Sequence, residues 1–434
     1  MMSIGIGIIG FGTVGAGTAA ILQKQKYFFK NKLSLDIELL KVADLDIKTD
    51  RGINISESIL TTDVSDVIDN PDIDIVVELI GGLDPAQGLI EKALSAGKHV
   101  VTDNKYLMAE RGPAIIQAAA NFGADIFFEA AVAGSIPVIK TLKESYIGNE
   151  ILSLYGIING TANYILTEMT EKGSTFSEAL SEAQKLGYAE ADPTFDIEGN
   201  DSAHKLCIMT SLAYGANLVL SDIPVFGITG ISKEDILFAA EFGYRIKLLA
   251  ISKKTDEGIE VRVAPTMIPA NSTLAGVNGA YNAVFLNGDS CGPQMLYGQG
   301  AGRFPTASAV ISDIIDAARN IKSGCPGRVP SWHAGGAEAA PGIRNYGETV
   351  SKYYFRFRVD DRPGVLAGIT GVLGDCGISV ESCIQKNPDS DDTAALIITT
   401  HDTEENNVQK AVCKIDSFDY VKQKTAIIRI EDKL

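Results

Sequence analysis

The chain has 434 residues, 45% of them hydrophobic, enough for two or three domains that each bury a core. With 55 acidic against 38 basic side chains the formal net charge is −17, which excludes a nucleic-acid partner that needs a basic face and gives no attraction to anionic membranes. Six cysteines (207, 291, 325, 376, 383 and 413) show no CxxC and no short metal-ligand spacing, and the four histidines do not cluster. They exclude a zinc site and a disulfide framework, and the cysteines read as buried thiols of a reducing cytoplasm.

Ser3 to Ile9 reads as a short buried strand that runs into Gly10-Phe11-Gly12-Thr13-Val14-Gly15, with a helix from Thr13 through about Lys24. A GxGxxG that follows a strand and opens a helix is the context of a dinucleotide site. Gly10 permits the tight turn, Gly12 lets the backbone approach a pyrophosphate, and Gly15 allows close packing of helix on strand. A second strand, Ile37 to Ala43, ends at Asp44, an acidic side chain suited to a ribose hydroxyl. The opening stretch carries no charge before Lys24, but it lacks a basic n-region and six glycines interrupt it. Neither a signal peptide nor a membrane span is expected, and the location is read as cytoplasmic.

The alternation continues with a strand at Ile73 to Leu79, ending in Gly81-Gly82, and a helix with Asp84 as N-cap and Pro85 in its first turn. His99 to Thr102 is a strand leading into Asp103-Asn104-Lys105, and 124–129 is another, followed by Glu129 to Pro137. This spacing gives a doubly wound parallel sheet, with Gly10, Asp44, Gly81 and Lys105 at the carboxyl ends of its strands, where such sheets bind ligands.

Beyond Pro137 the pattern changes to strands at Ile151 to Ile158 and Leu248 to Met267, with helices near 161–172, 177–186, 200–214 and 233–243. The stretch Gly187 to Lys205 gathers Glu190, Asp192, Asp196, Glu198, Asp201 and Lys205. Read as a helix from Glu198 onward, it places Glu198, Asp201 and Lys205 on one face. A cofactor that moves hydride needs a partner that moves a proton, and a lysine among carboxylates is such a partner. Gly298 to Thr306 is a second glycine-rich loop, entering a helix Thr306 to Ile321 that returns to the first domain. The last segment reads as strand 353–359, helix 365–376 closed by Gly377, strands 378–385 and 393–400, helix 403–414 and strand 421–430, a separate βαββαβ module.

The run Ala183-x3-Gly187-Tyr-Ala-x2-Asp192-Pro193-x2-Asp196-Ile-x-Gly199-x-Asp201-x3-Lys205, with Gly156-Ile-Ile-Asn-Gly160-Thr-Ala-Asn163 and Gly300-Ala-Gly302, resembles homoserine dehydrogenase in its long bacterial form with a C-terminal ACT domain. The resemblance covers essentially the whole chain. One departure is Asp103, where the family run before the lysine is Thr-Ala-Asn-Lys. The resemblance implies an α/β fold made of a Rossmann-type nucleotide-binding domain (1–136 plus 300–321), an α+β substrate and dimerisation domain (137–299), a linker (322–350) and an ACT regulatory domain (351–434).

It also implies NAD- or NADP-dependent interconversion of L-homoserine and L-aspartate 4-semialdehyde in threonine, methionine and isoleucine biosynthesis. Lys205 is then the proton donor and Lys105 the second lysine at the reacting centre, two ammoniums depressing each other's pKa. Glu190 and Asp201 hold the substrate's amino end. Phe11, Thr13, Val14, Asp103, Lys105, Gly187 and Gly302 join Gly10, Gly12, Gly15 and Asp44 as cofactor-contacting positions. Glu129 and the carbonyls of Val132, Gly134 and Ile136 match a sodium loop, oxygen-only ligation being suited to a hard cation. A homodimer or homotetramer and a threonine effector at the ACT module are expected. The alternatives are a sibling amino-acid oxidoreductase, which would lack the 183–205 pattern, and an inactive amino-acid sensor, which would have lost Lys205 or Asp201.

Overall fold

The opening strand Ser3–Ile9 buries every residue after Ser3, and its continuous apolar run is what a parallel strand covered on both faces requires. The computed structural model describes residues 3–330, 341–386 and 393–434. They divide into two compact units, Met1–Ile158, His204–Ser221 and Tyr281–Pro341 in the first, Asn159–Ala203, Asp222–Ala280 and Gly342–Leu434 in the second. Residues 331–340 of the 322–350 segment lie outside the described residues.

In the first unit Ser3–Ile9 sits inside a six-stranded, all-parallel sheet ordered Leu60–Thr61, Asp36–Ala43, Ser3–Ile9, Ile75–Glu78, His99–Thr102, Ile126–Phe127. Helices Thr13–Lys32, Asp84–Ser95 and Lys105–Phe122 connect its strands. Helix Arg303–Ser323 comes back from late in the chain to pack on Thr13–Lys32, as its sequence pattern implied, and joins the core formed by Ile4, Ile6, Ile8, Val77 and Val101. An antiparallel ribbon of Ile151–Ile157, Tyr281–Gly288 and Gly292–Gln299 completes this unit.

The second unit carries helices Gly160–Lys172, Phe176–Lys185 and Lys233–Glu241 and the hairpin Tyr244–Thr255/Gly258–Pro269. Its C-terminal part is the expected βαββαβ arrangement: Val350–Asp360, Val365–Asp375, Val380–Lys386, Thr393–Thr400, Glu405–Asp416 and Ala426–Ile430. The last strand is shared. It pairs antiparallel with Val350–Asp360 and parallel with Gly258–Pro269, so the terminal module is built onto the hairpin's sheet rather than standing apart. Among the described residues no helix is long and apolar enough to cross a membrane.

Several local expectations are corrected. The first helix runs eight residues past Lys24, to Lys32, because its amphipathic pattern carries on through Phe29. Leu83, not Asp84, holds the N-cap position, and Asp84 lies in the first turn beside Pro85. The strand expected over 124–129 shrinks to Ile126–Phe127, as Glu129–Ala131 turns into a 3-10 helix. Glu198 lies in the turn after a short helix, Thr194–Ile197, and the long helix begins at Asn200, so Glu198 does not share the helical face of Asp201 and Lys205. The hairpin Tyr281–Gly288/Gly292–Gln299 has no counterpart in the sequence reading, its second strand being half exposed and rich in Gly, Gln and Tyr. Of the six cysteines only Cys207 is buried; Cys291, Cys325, Cys383 and Cys413 are exposed, in a hairpin turn, past a helix end, and on solvent faces of a strand and a helix.

Candidate active site

The glycine-rich turn forms at the carboxyl end of Ser3–Ile9. Gly10 takes φ +103°, and a Cβ there would lie 2.7 Å from the Leu79 carbonyl; at Gly15 one would lie 2.0 Å from the Gly10 oxygen. Only glycine is compatible with either place. The space beside Gly12 is open, and no side chain caps the helix that starts after it. The first-turn N–H groups therefore present positive potential to an anion such as a pyrophosphate. Asp44 closes the turn from the neighbouring strand: one oxygen accepts from the Phe11 N–H at 2.5 Å and the other from the Asp46 N–H at 2.8 Å. A carboxylate offers about four lone-pair positions, so capacity for a ribose hydroxyl is left. Gly302, with φ +121°, precedes helix Arg303–Ser323, and the Arg303 carbonyl lies 2.8 Å from where a Cβ on Gly17 would be.

Two strands further on, three donors converge on the buried carboxylate of Glu78: the Thr102 hydroxyl at 2.7 Å and the N–H groups of Ile80 and Gly81 at 2.9 and 3.2 Å. Asn104 caps helix Lys105–Phe122 by accepting from the Leu107 N–H, and donates to the Gly82 carbonyl at 2.8 Å. The Gly81-Gly82 loop and the Asp103-Asn104-Lys105 turn are thereby tied together. Burial, and after it the Glu78 carboxylate, push the Asp103 carboxyl up to about 7 against the pull of Lys105.

The segments carrying the two lysines meet. The rings of Tyr106 and His204 lie 4.9 Å apart, and the Cys207 thiol reaches the Ala109 carbonyl at 3.6 Å. Lys105 and Lys205 are each the sequence neighbour of one of these rings. Lys205 is buried, and its ammonium donates to the Ile158 carbonyl at 2.8 Å.

The Glu129–Ile136 loop takes positive φ at Ala133 and Gly134, +55° and +58°. It runs against the second glycine-rich loop: Ser135 donates its N–H and hydroxyl to the Gln299 carbonyl at 3.2 and 3.0 Å. The Glu129 oxygens accept from the Ile139 and Lys140 N–H groups, both at 2.8 Å, and the Glu129 N–H donates to buried Asp313. Burial first, then the Asp313 charge, push the Glu129 carboxyl well above the usual carboxylate range.

In the second unit Asn159 caps helix Gly160–Lys172 through its side-chain oxygen. Its amide nitrogen donates to Asp196 at 2.8 Å and to buried Asp201 at 3.0 Å. Thr161 donates to the Tyr188 carbonyl at 2.6 Å, which fixes the Gly187–Glu190 turn. Gly187 has φ +76° just past helix Phe176–Lys185, and the Glu190 side chain is exposed.

The chain is matched by the models for the homoserine dehydrogenase NAD-binding domain (residues 10–129), homoserine dehydrogenase (137–315) and the ACT domain (353–417). A homoserine dehydrogenase of Neisseria gonorrhoeae is 44% identical over 432 residues, 99% of each chain. A crystal structure of a homoserine dehydrogenase from Thiobacillus denitrificans superposes with TM-score 0.92 at 44% identity, over 99% of this chain and 98% of that one. A hyperthermophilic archaeal homoserine dehydrogenase solved with NADPH is similar at 27% identity and TM-score 0.63, over 74% of this chain and 98% of that one.

The chain belongs to the homoserine dehydrogenase family.

It is accordingly an NAD(P)-dependent oxidoreductase that interconverts L-homoserine and L-aspartate 4-semialdehyde. The glycine-rich turn, the strand end at Asp44 and the paired glycines at 81 and 82 are the parts of its nucleotide-binding domain that the sequence exposes directly. Two residues of this homoserine dehydrogenase architecture, Glu78 and Asp313, were passed over in the sequence, and two more, Asn159 and Asp196, stood in its motifs without a role. Asn159 had a local signal, an Asn before Gly-Thr at a helix start. Asp313 had none, since its partner lies 184 residues away.

Proposed function

We propose that Lys205 is the proton donor to the oxygen of the reduced carbonyl and that Lys105 is the second cation at that centre. The bound dinucleotide supplies or takes the hydride. The observation that carries this reading is the tilted Tyr106–His204 ring contact, through which the two lysine-bearing segments of the first unit meet. A carbonyl becoming an alcohol passes through a developing alkoxide, and a buried ammonium stabilises that charge and hands over its proton. Conversely, oxidation of the alcohol requires the neutral amine to take the proton back. Glu190 and Asp201 hold the α-ammonium of the substrate; Asn159 orients Asp201 through the 3.0 Å hydrogen bond.

Gly10 to Gly15, Asp44, Lys105 and Gly302 hold the nucleotide, and Gly187 is assigned to it by family resemblance. Asp44 favours an unphosphorylated ribose, so NAD is accepted well, while Lys48 and Arg51 nearby leave room for NADP. The archaeal neighbour's NADPH complex supports use of the phosphorylated form in this family. The Glu129–Ile136 loop takes sodium: one carboxylate with the carbonyls of Val132, Gly134 and Ile136 is a hard-oxygen set, and a carboxyl destabilised by Asp313 gains from a cation beside it. The ACT module binds threonine and pairs with a second copy, making the enzyme a cytoplasmic homodimer or homotetramer.

A double-mutant cycle tests the lysine assignment. If Lys105 and Lys205 serve one reacting centre, Lys105→Met and Lys205→Met each lower kcat and the double variant falls far less than the product of the two effects. Fully multiplicative losses would place them at separate tasks.

A further inference from the structure

Asp103 follows directly on the strand His99–Thr102, at the carboxyl end of the parallel sheet, and its backbone carbonyl accepts from the Lys105 N–H at 2.9 Å. A dinucleotide lies across such an edge, with its pyrophosphate at the glycine-rich turn and its adenosine ribose at the next strand, here Asp44. The strand ends on the other side, Glu78 with Gly81-Gly82 and Asp103 with Lys105, then face the nicotinamide half. The charged groups that face Asp103 are Glu78 from one neighbouring strand end and Lys105 from the helix after it. The Glu78 carboxylate is held by three donors, whereas partial burial and that neighbouring charge push the Asp103 carboxyl up to about 7.

We propose that Asp103 sets the preference of the nucleotide site between oxidised and reduced cofactor, its carboxylate favouring the positively charged nicotinamide ring over the neutral one. The inference rests on the reading above that places the nicotinamide half at Lys105 and Gly81-Gly82. The physical basis is that the oxidised ring carries a unit positive charge which the reduced ring lacks, so a nearby carboxylate discriminates between them while its protonated form does not. Binding of the oxidised form near neutral pH then drives a proton off Asp103, and binding of the reduced form does not.

Calorimetric titration of the full chain with oxidised dinucleotide, reduced dinucleotide and ADP-ribose, at about pH 6 and about pH 8.5, tests this. For the wild type the affinity for the oxidised form relative to the reduced form should rise about tenfold between the two pH values. The same titrations near pH 7, run in buffers of different ionisation enthalpy, should show proton release with the oxidised form alone. Asp103→Asn, and Asp103→Ala as a second variant, should flatten both effects and leave ADP-ribose affinity unchanged. A wild-type ratio that does not move with pH, or a variant that keeps the rise, overturns the proposal while the nicotinamide placement stands. A variant that weakens ADP-ribose as much as the dinucleotides shows instead that Asp103 lies elsewhere along the cofactor, and the placement fails with the proposal.

Discussion

Asp44 acts on two things at once, because the carboxylate assigned to the ribose also accepts from the Phe11 N–H and so holds the glycine-rich turn in shape. Asp44→Ser should therefore slow the reaction with both nucleotides but shift the kcat/KM ratio toward NADP by about tenfold, since it removes a charge that repels a 2′-phosphate. A parent enzyme already strongly selective for NADP would contradict the assignment. Glu190→Gln should raise KM for homoserine and leave nucleotide affinity alone; an unchanged KM would move the substrate ammonium elsewhere. Glu129 gives a pH dependence whose sign follows from its raised carboxyl. The folded chain keeps a proton there that the unfolded chain has already released, so stability declines as pH rises from the ordinary carboxylate range toward the raised value. Melting temperature without sodium should fall across that window, and sodium or Glu129→Gln should flatten the fall. A slope insensitive to both would separate Glu129 from any cation.

Elements with a strong local period were legible, and those made by distant partners were not. The strand Ser3–Ile9, the helix start at Thr13 and the strand His99–Thr102 match their sequence boundaries because an apolar run or a turn residue marks those ends. Strand Gly292–Gln299 escaped notice, as its pairing with Tyr281–Gly288 rather than its own residues makes it a strand. Sequence spacing likewise placed Lys205 one turn from Asp201 but said nothing of the Tyr106–His204 ring contact through which the two lysine-bearing segments meet. The junction of helix Lys233–Glu241 with strand Val350–Asp360 is of the same hidden kind. Asp235, fully buried, caps its own helix with Ser232 and accepts from Arg356 at 2.8 and 3.1 Å and from the Tyr354 hydroxyl at 3.0 Å. Asp235→Ala takes the near carboxylate from the buried Arg356 guanidinium and leaves it Glu234 at 3.8 Å, which should cost about 3–5 kcal/mol, read by urea denaturation. Adding Arg356→Met should recover much of that loss, because the buried charge that lost its near partner goes with it. A double variant as unstable as the sum of the singles would contradict the coupling.

At the scale of the whole molecule the ACT module is bound into the second unit by its last strand and by Glu431, which takes Arg262 at 2.9 Å and Lys253 at 2.6 Å. Removing the chain beyond Gly347 would strip a strand from the hairpin sheet and take Glu431 from buried Arg262, leaving it Glu260 at 4.0 Å. Regulation is therefore best read in the full-length protein, where millimolar threonine should inhibit homoserine oxidation; a rate indifferent to threonine would end the effector assignment and leave the catalytic one intact. The central claim, that the buried lysine of helix Asn200–Tyr214 moves the proton, has a more direct test in the turnover of Lys205→Ala with homoserine and each nucleotide. Its kcat should be lower by roughly two to four decades, with nucleotide dissociation constants unchanged. Wild-type turnover by that variant between about pH 6 and about pH 9, the span over which a general acid of this kind operates, would contradict it.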